Sequence, residues 1–192
     1  MRFVWIKGRC AVVWLAMFGI GVCAARAADA LDTALETCWS CHGANGAGND
    51  PTVPVIWGQN ARYLEKQIRD FSSGDREDQI MSSMASSLRR EDISRAAALI
   101  AAKPWPGHAD TPAAAAPDAL AACQGCHGAD LSGGDSPEGA APRLAGQFAD
   151  YLATAMSGFA GGERANQKTM SAMMKALKPD ERAALAKYLA GL

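Results

Sequence analysis

The chain has 192 residues and a mass of 20.1 kDa, which is enough for one ordinary domain or two small ones. Hydrophobic residues make up 49% of it and charged residues 20%, a balance that excludes a mostly disordered protein. The formal net charge of −1 provides no basic face for nucleic acid, so a nucleic-acid-binding protein is not expected. The six cysteines and three histidines are the most informative counts, because four cysteines fall in two short clusters that each end in a histidine.

Residues 1–28 have the pattern of a secretory signal peptide. A basic start precedes an apolar run from Ala11 to Val22, and Ala25-Arg26-Ala27 fits a small-residue cleavage site. We therefore expect an exported, periplasmic protein that begins near Ala28 and has no membrane span in its mature chain. An uncleaved membrane anchor is the alternative, although the apolar run is shorter than the ~18–20 residues that a spanning helix needs.

Removal of this segment changes the charge of the protein. The segment contains no acidic residue and four basic ones, so 15 of the 19 basic residues remain against 20 acidic residues, a net charge of −5. Cys10 and Cys23 are also removed, which leaves four cysteines. An acidic protein of this kind favours a basic partner surface and disfavours anionic lipid as a target.

The rest of the chain contains one unit twice, at an offset of 85 to 89 residues. The clearest match is between the clusters Cys38-Trp39-Ser40-Cys41-His42 and Cys123-Gln124-Gly125-Cys126-His127. Further matches follow in the same order: Pro54 and Gly58-Gln59 with Pro142 and Gly146-Gln147, Tyr63 with Tyr151, and Met81-x-x-Met84 with Met170-x-x-Met173. An ordered series of this length indicates a duplication. We predict a first domain over residues 29–103, a proline- and alanine-rich linker over 104–117 and a second domain over 118–192.

Each domain is predicted to be all-α, with one helix before its cysteine cluster and two after it. The predicted helices are 29–37, 62–71 and 93–102 in the first domain and 117–122, 148–159 and 180–189 in the second. Asn60 is available to cap the helix that follows it, and Pro179 suits the first turn of the last helix. The glycine-rich stretches 43–49 and 128–139 are predicted to be loops.

The sequence C-x-x-C-H, present in both domains, is the attachment motif of a c-type haem. Two thiols add across the vinyl groups of the macrocycle, and the adjacent histidine can reach the iron from the same side. We therefore predict two haem c groups, with attachment and proximal-ligand residues Cys38, Cys41 and His42 in the first domain and Cys123, Cys126 and His127 in the second. A zinc site built from the four cysteines, or a pair of disulfides, would leave both histidines without a role.

The second axial ligand of each iron must come from elsewhere in the chain. Methionine is the usual partner of histidine in electron-transfer haems. The remaining histidine, His108, lies in the linker and is expected to be solvated. Repeat equivalence leaves two candidate pairs, Met81 with Met170 and Met84 with Met173, and by itself favours neither pair.

Taken together, the motifs resemble those of the cytochrome c4 family of dihaem class I cytochromes c. The resemblance is carried by both Cys-x-x-Cys-His clusters, by the matched proline and Gly-Gln positions, and by Met81 through Ile93 with its second-half equivalent. It implies two tandem class I cytochrome c domains, each a few helices wrapped around one covalently bound haem. In that family the ligand methionine lies seven residues before the leucine that opens the last helix, which implies Met81 and Met170.

The resemblance also implies roles for residues beside the irons. The backbone carbonyls of Pro54 and Pro142 would orient the proximal imidazoles. Arg143 fits a basic position of the family, where it could pair with a haem propionate. The first domain departs from this pattern because it has Val55 there, with Trp57 just before Gly58. The two haems are therefore expected to be electrostatically unequal.

An iron with histidine and methionine on its two axial sides has no open site for a substrate, which favours one-electron transfer over catalysis. We expect a periplasmic carrier, not an enzyme, that passes single electrons between respiratory-chain partners such as a terminal oxidase. The alternative is a dihaem electron-accepting subunit of a periplasmic oxidoreductase, such as a flavocytochrome c sulfide dehydrogenase with its flavoprotein subunit. A dihaem peroxidase is disfavoured because it is much longer and needs an open or labile iron.

Overall fold

The structure, a computed structural model, describes residues 31–107, 115–136 and 139–192. The predicted signal peptide and the linker histidine His108 lie outside the described residues. The chain divides into a small unit of residues 1–37 and a large unit of residues 38–192. In the small unit the described residues 31–37 are helical. Within the three described stretches, every helix is too short or too polar to span a membrane.

The large unit contains both copies of the duplicated sequence, and among the described residues each copy has four helices. Helix α1 covers residues 31–42, of which 38–42 belong to this unit, and α2 (Ala61–Ser73), α3 (Gln79–Ser87) and α4 (Ile93–Ala101) follow it. The second copy consists of α5 (Leu120–His127), α6 (Ala149–Gly161), α7 (Lys168–Ala176) and α8 (Pro179–Ala190). The predicted class, two tandem and mostly helical domains, is confirmed.

Helices predicted from apolar periodicity are present close to their expected positions. Helices α2, α4, α6 and α8 begin and end within two residues of the predicted bounds. The Asn60 side chain accepts a hydrogen bond from the Tyr63 backbone N–H at 3.1 Å, which confirms the predicted cap of α2. Pro179 is the first residue of α8, where its missing N–H costs no helical hydrogen bond.

Helices α3 and α7, which carry the candidate ligand methionines, were not predicted, since only loop was expected there. Each of them buries a single residue, Ala85 in α3 and Met174 in α7. Their helical spacing was nevertheless present in the sequence, since apolar residues recur at i, i+3, i+4 and i+7 in both: Met81, Met84, Ala85 and Leu88, and Met170, Met173, Met174 and Leu177. The N-terminal cap of α3 was a usable local signal. The Asp78 carboxylate accepts hydrogen bonds from the backbone N–H groups of Ile80 and Met81 at 3.0 and 2.8 Å.

The prediction of a loop over residues 128–139 was only partly right, because part of this stretch forms a short antiparallel ribbon in the second domain. Strand β1 (Gly134–Ser136) pairs with β2 (Gly139–Ala141), with Gly134 opposite Ala141 and Ser136 opposite Gly139. Neither strand contains a β-branched or aromatic residue, so strand propensity gives no indication of it. Helix α2 of the first domain contacts β2.

The two domains repeat one packing arrangement. Helix α2 packs against α3 and α4, and α6 packs against α7 and α8. The core of the second domain is formed by buried side chains that include Leu131, Leu152, Phe159, Met174, Leu185 and Leu189. In the first domain the buried apolar side chains of the large unit include Val55, Leu64, Phe71, Ile93 and Ile100. These cores hold the helices on which the candidate site residues lie.

Gly58 and Gly146, the glycines of the repeated Gly-Gln pair, occupy equivalent sharp turns. Both have left-handed backbones, with φ of 66° and 70°. Their N–H groups donate to the carbonyls of Ile100 and Leu189 in the last helix of each domain, at 3.2 and 2.8 Å. Trp105 lies against both turns, because a Cβ on Gly58 would come within 2.8 Å of its backbone nitrogen and a Cβ on Gly146 within 3.1 Å of its indole nitrogen. Only glycine satisfies both the conformation and the space at these positions.

Candidate haem sites

Each Cys-x-x-Cys-His cluster lies at the carboxyl end of a helix, in α1 and α5. Spacing of three residues along a helix places the two thiols of a cluster on neighbouring turns of one face. Burial raises the pKa of the Cys38 and Cys123 thiols. Cys38 and Cys126 are half-buried, Cys123 is buried and Cys41 is exposed, so the first cysteine of each cluster is more buried than the second. This is a suitable arrangement for two bonds to the edge of one macrocycle.

The two histidines of the clusters are buried and make the same contact. Nδ1 of His42 lies 2.7 Å from the Pro54 carbonyl oxygen, and Nδ1 of His127 lies 2.8 Å from the Pro142 carbonyl oxygen. Since a carbonyl only accepts, Nδ1 carries the proton in each ring and the Nε2 lone pair is available for a metal. Burial lowers the pKa of both imidazoles and keeps them neutral, although the bond to the proline carbonyl partly opposes this.

The zinc alternative has no support in the arrangement of these side chains. Within the described part of the chain, no group of three or more His, Cys, Asp and Glu side chains is placed to hold a metal ion. The four cysteines therefore do not converge on one tetrahedral site, and each pair stays with its own histidine.

The candidate ligand methionines differ in exposure. In the first domain Met84 is 39% exposed, whereas Met81 is half-buried near the start of α3. In the second domain Met170 and Met173 are both half-buried against the core. Met174, which has no methionine counterpart, is fully buried and aligns with the buried Ala85 of the first domain, so it serves as core. Exposure thus separates the two candidates in the first domain but not in the second.

The residues expected beside the haem propionates differ between the domains, as the sequence indicates. Arg143 donates its Nε–H to the Ala145 carbonyl at 2.9 Å, and its guanidinium lies over the Trp105 ring, 4.7 Å from the centroid. Its counterpart Val55 is a buried apolar side chain. The indole N–H groups of Trp57 and Trp105 are buried and have no hydrogen-bond partner among the described residues. Buried donors without acceptors are costly in a folded protein, and carboxylates such as propionates would satisfy them.

These observations test whether a haem fits the residues present. Each domain offers a thiol pair, a neutral buried imidazole with an available lone pair, and a half-buried thioether. The buried indole donors add groups that need acceptors. The side chains and their protonation states therefore fit two covalently bound haems, one in each domain.

Two glutamines that were recognised only as repeat matches connect the two sites. The Gln147 side chain accepts from the Val55 N–H and donates to the Val55 carbonyl, both at 2.9 Å. The Gln59 side chain accepts from the Arg143 N–H at 2.6 Å and donates to the Arg143 carbonyl at 3.0 Å. Each glutamine thus holds the residue that follows the histidine-binding proline of the other domain. The repetition of the Gly-Gln pair in both domains marked these glutamines in the sequence. It did not indicate that each one bonds to the other domain.

A second polar cluster between the domains was not anticipated. Arg164 of the second domain donates to the Tyr63 hydroxyl at 3.1 Å and to Gln67 at 2.9 Å, and Arg76 donates to Gln67 at 2.7 Å. Burial alone would raise the pKa of Tyr151, but the positive charges of Arg164 and Arg76 outweigh it and lower that pKa to about 8. Burial raises the pKa of Tyr63, and the nearby Tyr151 adds to the effect.

Comparison with known proteins gives consistent matches along the chain. The family model described as cytochrome c matches residues 27–102 and again residues 113–192. Cytochrome c4 of Pseudomonas aeruginosa is 33% identical, over 81% of this chain and 83% of that protein. The thiosulfate dehydrogenase electron acceptor of Stutzerimonas stutzeri is 32% identical, over 83% of this chain and 80% of that protein. The crystal structure of reduced recombinant cytochrome c4 from Pseudomonas stutzeri matches with a TM-score of 0.73 and 29% identity, covering 85% of this chain and 97% of that one.

Proposed function

Because the chain belongs to the cytochrome c4 family, we propose that it carries single electrons between protein partners in the periplasm. As a member of that family it has two tandem cytochrome c domains, two haem c groups and a role in electron transfer.

We assign the covalent attachment to Cys38, Cys41, Cys123 and Cys126. The proximal ligands are His42 and His127, and the observation that carries this assignment is their matched hydrogen bond to Pro54 and Pro142. When bound, each haem supplies a one-electron couple. The proline carbonyls hold the imidazoles in the tautomer and orientation that present Nε2 to an iron.

We propose that Met81 and Met170 would supply the second protein ligand of each haem iron. The exposure of Met84 supports this choice in the first domain, and repeat equivalence extends it to the second. If histidine and methionine held each iron, no coordination position would remain for a substrate. The protein is therefore proposed to be a carrier and not an enzyme. We propose that Arg143 and the Trp105 indole pair with propionate oxygens in the second domain and that the neutral Trp57 has this role in the first; the buried, unpartnered indole N–H groups support this.

The proposed domains are residues 29–103 and 118–192, joined by the linker 104–117. Helix α4 ends at Ala101 and α5 begins at Leu120, which supports these bounds. We place the mature protein in the periplasm on the pattern of residues 1–28, with cleavage near Ala28. The acidic residues are concentrated in the first half, since residues 29–110 carry a net −4 and residues 111–192 a net −1. We therefore expect partners with a basic surface to dock on the first domain.

The partners proposed for a free carrier are a respiratory donor and an acceptor such as a terminal oxidase. A second candidate function is that of electron acceptor for a periplasmic oxidoreductase. It is favoured by the relative from Stutzerimonas stutzeri, which is named an electron acceptor of thiosulfate dehydrogenase. A flavoprotein sulfide dehydrogenase is another enzyme of this kind. Co-purification with a catalytic chain would distinguish this function from that of a free carrier.

A redox titration of the purified, exported protein with optical and EPR detection tests the proposal. We expect two haems per chain, each titrating with one electron, and low-spin signals of histidine/methionine ligation. The reduced native protein should not bind carbon monoxide. A single haem per chain, or carbon monoxide binding to the native protein, would contradict the proposal. Stopped-flow mixing with a candidate oxidoreductase and with oxidase-containing membranes then identifies the partner.

A further inference from the structure

We propose that Gln147 and Gln59 are positioning residues that tune the haem of the opposite domain, through the peptide group that holds its proximal histidine. The inference rests on the proposed ligation by His42 and His127. It assigns a function to the contact between the domains, because each domain would then set part of the reduction potential of the other.

In the first domain, a single peptide unit connects the cluster histidine to a side chain of the other domain. The carbonyl of Pro54 and the N–H of Val55 belong to the same peptide group. That carbonyl accepts from His42 Nδ1 at 2.7 Å, and that N–H donates to Gln147 Oε1 at 2.9 Å. The chain of contacts therefore runs from a proximal imidazole of the first domain, through one amide group, to a side chain of the second.

The second domain contains the same series of hydrogen bonds, with the roles of the two domains exchanged. Nδ1 of His127 donates to the Pro142 carbonyl at 2.8 Å, and the N–H of the same peptide, on Arg143, donates to Gln59 Oε1 at 2.6 Å. The two glutamines are equivalent in the duplicated sequence. Each acts on the other domain, so the arrangement is reciprocal and crosses the boundary between the domains.

The orientation of both side-chain amides is determined by their partners. Oε1 of Gln147 accepts from the N–H groups of Val55 and Phe148, while its Nε2 donates to the Val55 carbonyl. An inverted amide would place N–H groups against N–H groups. The glutamines are 2% (Gln147) and 4% (Gln59) exposed, so water does not compete for these bonds.

Each glutamine acts on the histidine of the other domain by polarising the peptide group between them. A hydrogen bond donated by the N–H end of an amide makes its carbonyl end a better acceptor, by roughly 10–30% per bond in condensed phases. A stronger acceptor draws the Nδ1 proton of the histidine and raises the basicity of Nε2, which is the ligand atom. A more basic ligand stabilises the oxidised iron, so each glutamine is expected to lower the potential of the haem in the opposite domain.

The test uses Gln147→Leu and Gln59→Leu in the complete dihaem protein, with two readouts. The first is the pair of haem potentials, and the second is the set of histidine Nδ1–H resonances of the fully reduced protein labelled with ¹⁵N-histidine. Gln147→Leu should raise one potential and move the His42 Nδ1–H resonance upfield, toward a weaker hydrogen bond, with His127 unchanged. Gln59→Leu should raise the other potential and move His127 alone.

Two further variants keep the test decisive. Gln147→Glu preserves the oxygen that accepts from the Val55 N–H, so it should leave the first potential at or below the wild-type value. This variant decides the question even if Gln147→Leu does not assemble, because a raised potential in it would overturn the inference. Gln67→Leu is the matched control, since Gln67 is also buried and also bonds across the domains but contacts neither proline peptide. It should move neither potential nor either histidine resonance.

Three results would overturn the inference and leave the proposed function standing. These are unchanged potentials and resonances in both leucine variants, a shift of the histidine in the glutamine's own domain, or equal shifts of both histidines. The proposed function fails separately, if the wild-type protein lacks two haems or if His42→Gly keeps the wild-type spectrum.

Discussion

Arg164, in the second domain, donates a hydrogen bond from its guanidinium to the side-chain oxygen of Gln67, in the first, at 2.9 Å. Both residues are buried, and the same guanidinium lies over the Phe159 ring of its own domain, 4.3 Å from the centroid. A hydrogen bond donated by a charged group contributes more to stability, about 1.5–3 kcal/mol, than one between neutral groups.

We expect Arg164→Met to destabilise the contact between the domains by about 1–3 kcal/mol, because Tyr63 and Gln67 lose a charged donor. Urea unfolding monitored by circular dichroism measures the loss. Arg62→Met is the matched control. Arg62 also crosses between the domains, to Asp135 at 3.1 Å, but the two side chains are 71% and 62% exposed, so the loss should stay below about 1 kcal/mol. Equal losses in the two variants would contradict the role of the buried cluster.

Gly58→Ala should be markedly destabilising. The left-handed conformation costs a non-glycine residue about 1–2 kcal/mol. The new Cβ would also lie 2.8 Å from the Trp105 backbone nitrogen, where no flexible side chain can move aside. Gly74→Ala carries only the conformational cost, because Gly74 has a φ of 86° but nothing within 4 Å of its Cβ position, so the difference between the two variants measures the clash. Thermal unfolding should show the larger loss for Gly58→Ala, and similar losses would mean that Trp105 is not tightly packed there.

The pH dependence of stability should report on Tyr151. Its pKa in the folded protein is lowered to about 8 from a usual value near 10. Between these two values the unfolded chain holds a proton that the folded protein has released, so stability rises with pH in this window. Tyr151→Phe should remove that rise. The change in the slope of unfolding free energy against pH should correspond to at most one proton. Unfolding midpoints measured at several values from pH 7.5 to 9.5 test this, and identical slopes in both proteins would refute the lowered pKa.

The ligand methionines can be identified by single substitutions. Met81→Ala should abolish the thioether-to-iron charge-transfer band of one of the two oxidised haems and lower its potential, since thioether ligation raises the potential. Met84→Ala should keep both bands, because the Met84 side chain is an exposed group on the surface of α3. The same comparison between Met170 and Met173 tests the second domain. A band that disappears in Met84→Ala or Met173→Ala would reverse the assignment in that domain.

Local features of this protein could be predicted from the sequence because their causes lie within a few residues. The Cys-x-x-Cys-His spacing fits one macrocycle edge. Asn60 caps α2, and Pro179 is the first residue of α8. Helices α2, α4, α6 and α8 were found by the period of their apolar residues. Helices α3 and α7 were missed, although apolar residues at helical spacing and the Asp78 cap were both visible in the sequence.

The duplication itself, the export pattern and the choice of haem as cofactor were all apparent in the sequence alone. What the sequence could not indicate is how one copy acts on the other. Gln147 and Val55 are 92 residues apart, and Gln59 and Arg143 are 84 apart. Such pairs form only when the two domains are packed together and water is excluded from between them, and a buried amide then takes whichever backbone partners the packing provides. The tertiary structure thus decided that the histidine of each Cys-x-x-Cys-His cluster is connected to a side chain of the other domain.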